Sequence, residues 1–292
     1  LRVGKPERAV ADFLGADAIL IDTEQNFEQA ILEWQQAKEA ELRADDGWLT
    51  VVGLYWLHEG KNTVGSAPDS DILLPESAAE HLGVIELQGD RAQFTVLTEQ
   101  AVQIDGSDQT QAQLRPDSDP EGATRVTSGS ITFFVIRRGD RLGIRVRDRN
   151  SLARQKFTGR RWFPTNPAYN FEAVFTPYPQ PRMMNIVNIV GSVTPMQNVG
   201  YVTFEFGGQV FRLEALESST GSLWFIFKDA TSGKTTYGGG RFLIAALQPD
   251  NRVELDFNRA YHPPCAFTAY ATCPIPPQEN VLPISIEAGE RL

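Results

Sequence analysis

A chain of 292 residues with 41% hydrophobic content has material for about two packed cores, which excludes a disordered or low-complexity protein. A formal charge of −10 repels phosphate backbones, so nucleic acid is not an expected partner. No run of 18 apolar residues is present, so no helix spanning a membrane is expected.

The opening residues, LRVGKPERAV, carry neither an initiator Met nor an apolar leader and point to trimming or processing. Residues 23–44, TEQNFEQAILEWQQAKEAELRA, predict a helix. Phe27, Ile31, Trp34 and Leu42 recur at helical spacing, while Glu28, Gln35, Lys38 and Glu39 take the opposite face. Thr23 or Asn26 can cap its first turn. A stripe of this kind packs against a larger body, and it defines an N-terminal segment, 1–46.

From residue 47 the pattern turns to short apolar or alternating runs divided by Gly, Asp and Pro: 48–57, 62–65, 71–75, 83–89 and 92–97. Residues 130–148 read as a hairpin turning at Gly139-Asp140. This spacing predicts a β-sandwich over 47–155, with the polar stretch 104–129 as a long excursion between strands. The basic runs RVRDRN (145–150) and GRRW (159–162) read as solvated faces. The proline-rich stretch FPTNPAYNFEAVFTPYPQP (163–181) reads as an extended connector, with a boundary near 155–180.

The remainder, 156–292, is again β. GYVTFEFGGQVFRLEAL turns at Gly207-Gly208, and SLWFIFKDA, RFLIAAL and RVELDFN are strands by alternation. The expected fold is mainly β: an N-terminal helix, a β-sandwich, then a second antiparallel β domain.

Three stretches of the last domain carry candidate chemistry. TSGKTTYGGGRF (231–242) is not a phosphate loop, because Lys228 stands where the first glycine belongs and a strand follows. It predicts a hairpin with strand 223–229 and a return through Thr235, Thr236 and Tyr237. Arg241, beyond three glycines, suits a carboxylate, either a substrate's or that of Asp229 or Asp256. In LDFNRAYHPP, alternation sends Leu255 and Phe257 one way and Asp256 and Asn258 the other, with Tyr261 close behind. Asp256 is a candidate general base and Arg241 a candidate anion anchor, with Asp229, Asn258 and Tyr261 as ligand-binding candidates. The same residues can equally brace an irregular loop. The third stretch, YHPPCAFTAYATCPIPP (261–277), holds both cysteines. A Cys265–Cys273 disulfide would be worth roughly 2.6 kcal/mol by loop entropy. A metal site on His262, Cys265 and Cys273 and a nucleophilic thiol beside His262 are the other readings. No common zinc spacing is matched, so no metal and no cofactor are expected.

FKDATSGKTTYGGGRFL (227–243), LDFNRAYHPPCAF (255–267), CPIPPQEN (273–280) and AGE (288–290), together with GWLTVVGLYWLHEGKNTVGS (47–66), resemble a bacterial family of unknown function, DUF1684. The likeness runs from about residue 34 to 292. One departure is His262, where the family pattern has Asn. NTVGSAPDSDILLPESAAEH (62–81) is similar to the opening of a forkhead-associated (FHA) domain, a phosphothreonine-binding sandwich. Ser66 stands where that family places its phosphate-gripping arginine, which implies the sandwich shape without the binding function. The resulting expectation is a small polar ligand bound or hydrolysed in the C-terminal domain. The competing expectation is a non-catalytic module that meets a protein partner or a second copy of itself. Two cysteines are compatible with a reducing or an oxidising compartment.

Overall fold

The computed structural model describes residues 11–217 and 221–292, so the opening LRVGKPERAV lies outside the described residues. Helix α1 (Ala11–Arg43) starts well before the expected residue 23. ADFLGADAILID is rich in strong helix formers and free of proline, so the helix runs through Thr23 and Asn26 and neither caps it. Ile31 and Leu42 are fully buried, and Phe27 and Trp34 partly so, which is the predicted stripe.

Ten strands follow: β1 (Val51–Trp56), β2 (Gly60–Gly65), β3 (Ile72–Leu73), β4 (Gly83–Gln88), β5 (Arg91–Val96), β6 (Gln103–Ile104), β7 (Gln111–Leu114), β8 (Val126–Ser128), β9 (Ile131–Arg138) and β10 (Arg141–Asp148). They form two five-stranded sheets, ordered β1-β10-β9-β8-β6 and β3-β2-β4-β5-β7, antiparallel except at β2–β3. One core joins them: Ile72, Leu82, Ile85 and Phe94 from one sheet meet Ile131, Phe133, Val135 and Ile144 from the other. The stretch 104–129 is less of an excursion than expected, since β7 and β8 lie in it. The hairpin at Gly139 forms as predicted, with φ of 62° at that glycine. RVRDRN is not a solvated face: Arg145 is only 4% exposed, because the outer side of β9 and β10 is covered by the C-terminal half of the chain.

After the one-turn helix α2 (Leu152–Lys156) come β11 (Arg161–Trp162), β12 (Asn170–Val187), β13 (Val193–Phe206), β14 (Gln209–Glu217), β15 (Leu223–Phe227), β16 (Arg241–Ala245), β17 (Arg252–Asp256) and β18 (Glu290–Arg291). Strands β12 to β17 make one sheet in the order β16-β15-β14-β13-β12-β17. Leu247 pairs with Val253, so the two outer strands meet and the sheet curls into a barrel. The expected connector 163–181 is corrected here: from Asn170 it is strand β12. Its prolines fit because the β12–β13 register shifts between Pro177 and Arg182, where a missing N–H costs no ladder bond. Gly207 and Gly208, at φ 59° and 75°, make the tight turn their sequence predicts. The expected return strand at 235–237 is a second correction. Strand β15 pairs instead with β16, and residues 229–240 fold as a compact loop between them.

The barrel interior is filled by Phe175, Val202, Phe204, Phe225, Phe227, Leu255 and Phe257. Leu282, Ile286 and Ala288 enter it as a plug. Short β18 then pairs with β11.

Gly65 shows how tightly the sandwich is packed. A Cβ there would lie 1.9 Å from the Glu80 carbonyl oxygen, and Ser66 beside it donates its hydroxyl to the Ala78 carbonyl. Gly65→Ala is expected to cost about 1–3 kcal/mol, read as a lower urea midpoint with an unchanged slope.

Candidate functional site

Alternation along β16 points Arg241, Leu243 and Ala245 into the barrel, which places a guanidinium in an apolar interior. Arg241 is 1% exposed. Its Nη2 donates to Asp229 Oδ2 at 3.2 Å and to the Ile286 carbonyl at 2.8 Å, and its Nη1 donates to the Ala288 carbonyl. Asp229 in turn accepts from the Ile286 N–H at 2.7 Å and from the Thr231 hydroxyl. Burial lowers the Arg241 pKa from its usual value, against the pull of Asp229. The pair thus spends its hydrogen bonds on the plug segment.

Asp256 and Asn258 behave alike. Asp256 Oδ1 accepts from the Asn258 N–H at 3.0 Å and its side-chain amide at 2.8 Å, capping the 3₁₀ turn Phe257–Arg259. Its Oδ2 lies 3.3 Å from Arg259 Nε. Burial raises the Asp256 pKa, against those Asn258 bonds. Asn258 exchanges two backbone hydrogen bonds with Asn166, at 2.9 Å each. Asn280 does the same across the barrel wall, accepting from the Glu214 N–H and donating to the Glu214 and Ile226 carbonyls. Gly289, at φ 76°, lets the plug pass close to Ala260, since a Cβ there would lie 2.4 Å from the Ala260 oxygen.

Tyr261 stands apart from these four. It lines a cleft of about 540 Å³ between α1 and the outer face of the barrel. Lys38 and Leu42 of α1 form one wall, and Trp224, Phe242 and Ile244 another. Trp48, Met196 and Phe267 close it. The Tyr261 ring meets Trp34 and Phe242 edge-on, with the Lys38 ammonium 5.2 Å from its centroid. Burial, with Glu41 near, pushes its hydroxyl up to about 12.

Beside the cleft lie Arg160 and Glu290, which the sequence pattern did not assign, and His262, which it offered only for metal or thiol chemistry. GRRW was read as a solvated face, yet the Arg160 side chain is 6% exposed and pairs with Glu290 at 2.5 Å. Glu290 also accepts the His262 N–H at 2.7 Å. His262 Nε2 accepts the Tyr237 N–H at 3.1 Å, so the proton of the neutral ring sits on Nδ1, 3.7 Å from Glu290. Burial, with Arg241 and then Arg160 nearby, pulls His262 down to about 3; burial pushes Glu290 up to about 7 against Arg160. Two shielded donors of cleft-lining residues, Arg160 Nε and Trp224 Nε1, have no acceptor among the described residues.

Cys265 and Cys273 are free thiols packed behind the cleft wall. Each backbone N–H donates to the other's sulfur, Cys265 N to Cys273 Sγ at 3.1 Å and Cys273 N to Cys265 Sγ at 3.4 Å. The thiol of Cys273, hydrogen bonded to Cys265, lowers the latter to about 7, and Cys273 is pushed up correspondingly. Among the described residues no cluster of three His, Cys, Asp or Glu side chains is arranged to hold a metal ion. His262 in particular has one ring nitrogen bonded to an amide and the other turned toward Glu290.

Residues 155–291, which contain the barrel, its plug and the cysteine loop, match the model of a family described as a protein of unknown function, DUF1684. This segment of the chain belongs to that family. The match begins at residue 155, so the likeness noted for residues 47–66 is not part of it. An uncharacterized protein of Haloarcula marismortui, solved by solution NMR, is 31% identical, with 48% of this chain and 79% of that one covered and a TM-score of 0.40. An FHA domain from a study of phosphothreonine-dependent interactions is 19% identical over 34% of this chain and 96% of its own, with a TM-score of 0.24. The FhaA FHA domain, solved in complex with the intracellular domain of Rv3910, is 18% identical over 32% and 97%, also at 0.24. No curated protein matches. Within the matched segment, the DUF1684 motif residues Arg241, Asn258, Asn280 and Gly289 act on backbone of the plug and the strands beside it.

Arg241→Ala strands Asp229 as a buried, unpaired carboxylate. The expected loss is about 3–5 kcal/mol in urea unfolding; a loss below about 1 kcal/mol would show that the pair does not hold the plug. For His262, the unfolded ring takes up a proton as pH falls below about 6.5 while the folded ring stays neutral down to about 3. Its contribution to stability is therefore complete above that window and lost as pH falls through it. His262→Asn should remove about one proton of uptake on unfolding between those limits, read from the slope of unfolding free energy against pH.

Proposed function

We propose that this DUF1684 protein is a binding protein for a small, uncharged, mainly apolar molecule that carries a hydrogen-bond acceptor, held in the cleft between α1 and the barrel. The observation behind this reading is a cleft of about 540 Å³ walled by Trp48, Phe242, Tyr261 and Ile244 and lined also by Arg160 and Trp224, whose Nε and Nε1 have no acceptor among the described residues. A cleft of that size suits a drug-sized ligand, and an apolar wall with a few convergent polar groups is how such ligands are oriented. Lys38 is committed to Glu41 at 2.8 Å and Arg160 to Glu290, so the cleft offers no spare cation for an anionic ligand. This moves the expected ligand from polar to mainly apolar.

The reading is of binding without hydrolysis. Asp256, the sequence-based candidate for a general base, caps a turn on a different part of the barrel, next to Ile244, Gln248 and Arg259, and does not line this cleft. Arg241 has its guanidinium on the plug segment. Arg241 is sealed inside the barrel, and Asp256, whose Oδ2 has no hydrogen-bond partner among the described residues, borders a smaller cleft on the far side of Ile244.

Titration with prodan, a neutral naphthyl ketone whose emission reports polarity, tests this. The expected result is saturable binding with a blue-shifted emission. Ile244→Trp, at a residue 44% exposed on the cleft wall, should abolish it by filling the cleft. Trp224→Phe should weaken it about fivefold, the worth of one hydrogen bond. Binding that neither variant changes would overturn the assignment.

A further inference from the structure

We propose that Cys265 and Cys273 form a reversible dithiol–disulfide site that exchanges with small-molecule disulfides, with Cys265 as the attacking sulfur, Cys273 as the resolving one and Arg145 as the neighbouring cation. The two sulfurs are already adjacent, since each accepts the other's backbone N–H at 3.1 and 3.4 Å. Their exposures differ in the sense that exchange requires. Cys265 is partly exposed and Cys273 is 8% exposed, so an external disulfide meets Cys265 first.

The second observation is Arg145. It is 4% exposed and has no carboxylate within ion-pair distance among the described residues. Its Nε has no partner, its guanidinium lies over Trp48 at 4.8 Å, and Nη2 reaches only the Thr272 hydroxyl at 3.4 Å, one residue before Cys273. Asp117 acts on Arg145 only at a distance, being held by Arg138; a buried guanidinium without a direct ion pair is costly, and a thiolate beside it would supply one. The other charged groups of this region are Arg138, paired with Asp117 at 2.9 Å, and Arg147; Tyr237 faces the thiols from the loop before β16. The segment between the cysteines is pinned to the sandwich by Thr268, which donates to the Val51 carbonyl, and by Thr272, which accepts from Arg138. Closure of the bond therefore needs the sulfurs to move and not the loop.

In the first step the Cys265 thiolate attacks one sulfur of R–S–S–R. That S–S bond breaks, a mixed disulfide forms at Cys265, and the released R–S⁻ takes up a proton. In the second, the Cys273 thiolate attacks the Cys265 sulfur and expels the second R–S⁻, which is protonated in turn. The protein dithiol loses two electrons and two protons, and the small disulfide becomes two thiols.

The full-length protein, equilibrated with glutathione disulfide and read by alkylation and intact mass, tests this. Wild type should lose both alkylatable thiols and recover them with dithiothreitol under native conditions. Cys273→Ser should stop at a retained glutathione adduct. In that background Arg145→Gln should raise the pH midpoint of Cys265 alkylation by about one unit and slow the reaction at pH 7 about tenfold, with Arg145→Lys restoring both. A wild type that keeps two thiols under excess glutathione disulfide would overturn the proposal. So would a disulfide that dithiothreitol opens only after denaturation, which is a permanent staple. Failure of Cys273→Ser to hold the adduct would remove Cys265 from the attacking role. An unmoved pH midpoint in Arg145→Gln would remove Arg145 from the site.

Discussion

The guanidinium of Arg241 is the fixed point of the C-terminal half. A barrel with a guanidinium inside it has to neutralise that charge and occupy its donors, and here Asp229 and two carbonyls of the plug take up Nη1 and Nη2, leaving Nε without a partner among the described residues. The constraint then propagates. Because Ile286 and Ala288 are held by their backbone, their side chains seal the barrel interior against Phe225, Phe227 and Phe257. Glu290 lands beside His262 and Arg160, and β18 is delivered to β11. Replacing such an ion pair by apolar groups could give equal stability. What the charged version adds is position, since a fork with directed bonds fixes the plug in one register.

With the polar motif residues occupied in that way, the cleft is built from other material. Its walls are the outward-facing residues of the same strands whose inward residues make the core: Trp224 against Phe225, Phe242 and Ile244 against Leu243. Helix α1 supplies the facing wall through the stripe that carries Leu42 and, at its edge, Lys38. The cleft thus depends on two things the barrel does not need for its own closure, namely the helix and the segment near Trp48.

How far this was legible in the sequence varies by residue. The hairpins at Gly139 and Gly207-Gly208 were, because positive φ leaves few alternatives to glycine. The mainly β architecture was, because period-2 alternation survives in most strands. Strand β12 was not, since three prolines in 177–181 read as a connector until the register shift opposite Asn198 and Gly200 is seen. The start of α1 was missed because capping residues at 23 and 26 were given more weight than the helix formers ahead of them. At the site, Asp229, Arg241, Asp256 and Asn258 stood out as a polar set, and Asp256 does bond locally to Asn258, but the other three reach backbone groups 45 to 92 residues away, as between Arg241 and Ile286 or Asn258 and Asn166. Arg160 and Arg145 looked solvated because their cover comes from residues distant in sequence, Glu290 and Phe267 over Arg160 and Thr272 over Arg145, to which local charge density is blind.

The plug also orders events in time. All the strands of the sandwich core come from residues 51–148, so that core can assemble as soon as they leave the ribosome. The barrel sheet is complete only when Asp256 is out, and its interior cannot be sealed until residues 286–290 have emerged, about 30 residues later, which at ordinary translation rates is on the order of a few seconds. For that interval a curled sheet with an aromatic-lined mouth is present without its seal, and it can persist only by staying loosely paired or by borrowing cover from another molecule. A nascent chain of this protein should therefore be a chaperone client late in its synthesis and not early, with the C-terminal half alone responsible for the demand.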